Sequence, residues 1–72
     1  MEMVRFFNEN GSQNCLTWKR QKNGQYTVTN DFYDGEGYYI SHKSRTLPNI
    51  EMAELLSQID AAEGICPKIV KY

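Results

Sequence analysis

His42, Cys15 and Cys66 are the side chains with the readiest chemistry in this 72-residue chain. A Cys or Ser nucleophile needs a base within hydrogen-bond reach and a third group to orient that base. Ser41 and Ser44 flank His42 in sequence, but nothing marks either as an activated nucleophile. The strand register read below sets it beside Tyr26 at the rim, with no carboxylate opposite. A satisfied structural histidine fits that setting better than a catalytic one. Two thiols and one imidazole, scattered along the chain, lack the spacing of a metal site. The two cysteines could close one disulfide, but nothing else in the sequence points to an oxidising compartment, so ordinary thiols are expected.

Asp31, Asp34 and Glu36 crowd one turn. Paired carboxylates can move protons or hold a hard cation, but only in a cleft or a cage of oxygens, which a hairpin tip does not supply. Asp34 is accounted for by the turn itself. No glycine stands between a strand and a helix start with phosphate-loop spacing. No catalytic residue, cofactor or metal is therefore expected, and an enzyme is the least favoured class.

Binding is left, and two surfaces compete for it. The stretch from Asn30 to Tyr39 holds four aromatics and three acids in ten residues, more than a small core absorbs. Exposed aromatics anchor protein contacts, and acids suit a basic partner patch. Asp31, Phe32, Tyr33, Asp34, Glu36 and Tyr39 are the candidate protein-binding residues. The structural alternative has Phe32 and Tyr38 finishing the core, while Tyr33 and Tyr39 are ordinary surface tyrosines. The second surface is a sheet face carrying Met3, Arg5, Phe7, Thr17, Lys19, Gln21, Thr27, Thr29, Tyr39, Ser41 and Lys43. Basic and aromatic residues on an open sheet can hold a nucleic-acid backbone and stack bases. Arg5, Phe7, Lys19, Tyr39 and Lys43 are the candidates there, although Lys and Thr are also normal on a solvated face.

The elements that must carry these surfaces are legible. Strands are expected over 3–7, 16–21, 25–30 and 38–43, each rich in β-branched or aromatic residues and bounded by turn residues. A short fifth edge strand over 68–72 is a further candidate. Three links share one form: Glu9-Asn10-Gly11, Lys22-Asn23-Gly24 and Tyr33-Asp34-Gly35. Such links close either two-residue loops or three-residue loops with a left-handed Gly. Side-chain parity chooses the second. Val4 then faces Leu16, Trp18 faces Val28, and Val28 faces Ile40, giving one apolar face of Val4, Phe6, Leu16, Trp18, Tyr26, Val28, Tyr38 and Ile40. A one-residue slip would break that face.

Residues 50–63 form the lid. Met52, Leu55, Leu56, Ile59 and Ala62 make one stripe at about 100° per residue. Asn49 is the expected N-cap after Pro48, Gly64 the C-terminal stop with Ile65 folding back, and Pro67 the block beyond. Ile50 points off the stripe. The fold class is thus α+β: a four-stranded antiparallel meander with one C-terminal helix on one face, in a single domain spanning 1–72. The order from Trp18 to Leu56, three strands and then a helix, resembles in architecture alone the small arm-binding domains at the front of some phage and transposon integrases. No residue motif accompanies it.

A 40% apolar and 24% charged composition is that of a globular chain, and a net charge of −1 exerts no overall pull on nucleic acid or anionic membrane. No apolar run is long enough to span a bilayer and no signal-peptide pattern is present, so a cytoplasmic location without membrane contact is expected. A chain this short has a marginal core, for which a homodimer is one remedy.

Overall fold

A computed structural model describes residues 2–62 and 68–71. Five strands form one antiparallel sheet in the order β4-β3-β2-β1-β5: β1 Glu2–Phe7, β2 Gln13–Arg20, β3 Tyr26–Tyr33, β4 Tyr39–Leu47 and β5 Lys68–Lys71. The helix α1, Asn49–Ala62, follows β4 and lies on one face. The meander, the C-terminal helix and the short fifth strand are as the sequence implies.

Three-residue loops make the reversals. In the first, the Asn8 N–H donates to Ser12 O at 2.9 Å and the Gly11 N–H to Asn8 O at 3.0 Å. The Asn10 carboxamide accepts the Ser12 N–H at 3.0 Å. The second loop repeats the design, with Gln21 and Gln25 closing it and Asn23 accepting the Gln25 N–H at 3.0 Å. Gly11 and Gly24 hold φ of 88° and 86°, a left-handed conformation that costs other residues energy. These loops set Val4 opposite Leu16 and Trp18 opposite Val28, as expected.

The third reversal differs from the expected one. Its loop is Gly35-Glu36-Gly37, and the left-handed residue is Gly37 at φ 89°, not Gly35. The closing bond runs from the Asp34 N–H to Tyr38 O at 2.9 Å. A bulge follows: Tyr33 pairs with Tyr39 but Phe32 pairs with Ser41, leaving Ile40 as the extra residue. The loop shift moves the pairing by an even number of residues, and the bulge then reverses the facing of β4. Val28 lies opposite Arg45, not Ile40. Tyr38 and Ile40, expected inward, are 73% and 61% exposed. In exchange β3 pairs over its whole length, and Leu47 reaches the core opposite Tyr26.

The core is Val4, Leu16, Val28 and Leu47 beneath Met52 and Ile59, flanked by Phe6, Trp18, Tyr26, Leu55 and Ile69. Leu56, placed in the stripe by the sequence, is 38% exposed, and Ile50 is exposed. The first helical bond runs from the Met52 N–H to Pro48 O at 3.0 Å, one turn position earlier than an Asn49 cap would set it. Glu63, Gly64, Ile65, Cys66, Pro67 and Tyr72 lie outside the described residues.

The helix covers only part of the inner face. Beyond it that face turns polar. The Asn8 amide donates to Asn14 Oδ1 at 3.0 Å and the Asn14 amide to Asn30 Oδ1 at 3.2 Å. Asn30 in turn pairs across to Lys43.

Candidate functional site

The third loop builds a rigid tip. One oxygen of the Asp34 carboxylate accepts the Glu36 N–H at 3.0 Å and the Tyr38 N–H at 2.9 Å. Asp34 is therefore committed to the turn, while Glu36 projects from it, exposed. Just past the loop, Tyr38, Tyr39 and Ile40 are exposed in succession, and all eight residues from Tyr39 to Thr46 are exposed along the sheet edge.

The other candidates for protein contact divide between the two faces. Phe32 is half-buried on the inner face opposite Ser41. Asp31, Tyr33 and Tyr39 lie on the outer face. The Tyr33 ring meets Tyr39 edge-on at 5.9 Å, and the Arg5 guanidinium sits 4.9 Å from the Tyr33 ring centre. The Tyr39 hydroxyl and His42 Nδ1 share a hydrogen bond of 2.6 Å. Tyr39 is thus exposed yet held in place from both sides. The sequence reading missed Tyr38 and Ile40 at the tip. The second Gly-flanked turn option, at Gly37, was the available signal.

The outer face is less basic than the sequence implied. Lys43 and Ser41 belong to the inner face, because the bulge at Ile40 reverses their facing. Asp31, inside the lengthened β3, adds an acid to the outer face. Arg5 is tied to Gln13 Oε1 at 3.0 Å. Phe7 pairs with Gln13 and Lys19 with Thr27, at opposite ends of the sheet. Of the nucleic-acid candidates, Arg5, Phe7, Lys19 and Tyr39 are spread over the outer face and Lys43 is not on it.

The register also moves His42. It stands opposite Asp31, not beside Tyr26, and Asp31 stands opposite Cys15, with Arg5 on the other side of Cys15. This row sets a thiol, a carboxylate and an imidazole side by side across the sheet. Its chemistry is restrained by burial. Cys15 is a free thiol only 3% exposed. Desolvation pushes its pKa up, Arg5 draws it back by charge and hydrogen bonding, and Asp31 adds to the rise. A reactive thiol needs the opposite environment. Among the described residues no group of three His, Cys, Asp or Glu side chains is placed to hold a metal ion. Among the same residues no helix is long and apolar enough to cross a membrane.

Compared with known proteins, the chain matches no family model, no curated protein and no solved structure. Its functional reading rests on its own geometry.

Proposed function

We propose that this chain is a small non-enzymatic protein that acts by binding another protein, in an accessory or inhibitory role. The contact is the tip of the β3–β4 hairpin with the adjoining sheet edge. One observation carries the reading: Tyr38, Tyr39 and Ile40 stand exposed in succession on a turn locked by Asp34. Large side chains cost solvation when left in water, and clustered aromatics are the residue types that dominate interface energies. A tip already held by hydrogen bonds loses little entropy on docking. Glu36 supplies a charge for orientation. A cytoplasmic setting accords with this role.

The test is affinity capture from the native host with the intact chain and with a Tyr38→Ser, Ile40→Ser double variant. Both positions are exposed, so the fold should survive, which an amide spectrum checks. Each anchor is expected to contribute about 2 kcal/mol to binding. The captured partner should therefore disappear with the variant. If the same partner is retained at the same yield, the tip is not the contact.

The competing reading, a nucleic-acid binder acting through the outer face, keeps Arg5, Phe7, Lys19 and Tyr39 but loses Lys43. Steeply salt-dependent binding to mixed oligonucleotides, weakened by Lys19→Ala, would favour it.

A further inference from the structure

β4 is the long open edge of the sheet. Among the described residues it pairs with β3 on one side only, and alternate residues turn their N–H and C=O groups outward. Its charges all have one sign. Lys43 and Arg45 lie on it and no acid does. Lys43 and Arg45 share the inner face, at the rim of a cleft of about 340 Å³ that Leu16, Val28, Asn30 and Phe32 help to line. Among the described residues neither cation takes a hydrogen bond or an ion pair.

Two copies of the chain are a poor match for this edge. Antiparallel pairing of β4 with itself about Lys43 would set Lys43 against Lys43 and bring Arg45 close by, and like charges opposite each other oppose pairing. A nucleic-acid backbone could meet the two cations but could not satisfy the alternating amide groups of the edge. An extended peptide with acids at every second position does both. Its backbone continues the ladder, and its carboxylates fall opposite Lys43 and Arg45 on the same face.

We propose that the β4 edge takes an extended, acid-bearing segment of a partner protein as a sixth strand, with carboxylates set against Lys43 and Arg45. The inference rests on the protein-binding reading above and names the chemistry of the partner at the edge that adjoins the tip.

The experiment titrates the isotope-labelled chain with a capped peptide alternating Glu and Thr, and follows amide shifts and hydrogen exchange. Protection of the β4 amides between Ser41 and Thr46 is expected. A peptide with Lys in place of Glu should bind about tenfold more weakly. A peptide N-methylated at alternate residues should not bind, because it cannot continue the ladder. The Lys43→Glu, Arg45→Glu double variant should reverse the preference between the Glu and Lys peptides. The proposal is overturned by absent β4 protection, by equal binding of the Lys or N-methylated peptide, or by oligothymidylate displacing the Glu peptide.

Failure here is distinguishable from failure of the tip. The Tyr38→Ser, Ile40→Ser variant should still bind the peptide. If that variant abolishes partner capture while the peptide never binds, the edge inference alone falls. If the peptide binds but tip substitutions leave capture unchanged, the tip reading alone falls.

Discussion

At the scale of single residues, Gly37 and Gly35 test the third turn directly. Gly37 sits at φ 89°, while Gly35 does not take a left-handed conformation. A Cβ on Gly37 meets no atom within 4 Å, so Gly37→Ala should act through backbone strain alone and cost about 1–2 kcal/mol in urea denaturation. Gly35→Ala would bring its Cβ to 3.2 Å from Gly11 O, a steric effect with a different origin. To fit that methyl the Gly11 carbonyl must give way, which Gly37→Ala does not require. Cys15 gives a second residue-level expectation. Its native pKa lies above the ordinary thiol value, so the folded state holds the proton where the unfolded state releases it. Stability is thus unaffected by this group below that range and falls as pH rises through it. Denaturation between about pH 7 and 10 should show a smaller decline for Cys15→Ala than for the native chain.

At the scale of the element, α1 is held by fewer contacts than its stripe implies. Met52 is 1% exposed and Ile59 is buried, but Leu56 has turned toward solvent. Met52→Ala and Ile59→Ala should each cost about 2–5 kcal/mol, enough to threaten a chain of this size. Leu56→Gln should cost less, about 1 kcal/mol, because Leu56 is already 38% exposed. Equal losses at Leu56 and Ile59 would mean that the helix is rotated from the position described. The β3–β4 hairpin is the other element whose behaviour follows from its details. Its tip is fixed by the two amides that Asp34 accepts, so Asp34→Ala should loosen the loop and weaken partner capture without exposing the core.

At the scale of the whole molecule, the two layers measure 37 × 26 × 17 Å, thin enough that the sheet has a covered face and an open one. Such a sheet needs protection at its edges. β5 is short and bears lysines at both ends. β4 is long, and Lys43 and Arg45 along it oppose pairing with a second copy. The native chain should sediment as a monomer, and Lys43→Thr with Arg45→Val should associate through the edge. A homodimer of the native chain that survives high dilution would show that the edge charges do not control association.

Local rules reached far into this fold. Asn10-Gly11 and Asn23-Gly24 determine their loops because left-handed backbone is accessible to glycine and the Asn side chain completes each turn. The alternation of Val4, Phe6, Leu16, Trp18 and Val28 then selects one register and one buried face. At the third turn the same rule pointed to Asp34-Gly35, but the left-handed glycine is Gly37. Tertiary structure decided for Gly37, since that choice pairs β3 along its whole length and brings Leu47 under the helix. The two-residue shift of the loop leaves the facing of β4 unchanged, and the bulge at Ile40 then carries Lys43 to the inner face and sets His42 opposite Asp31. Side chains alternate with a period of two along a strand, so a single bulge at Ile40 was enough to change which residues share a surface.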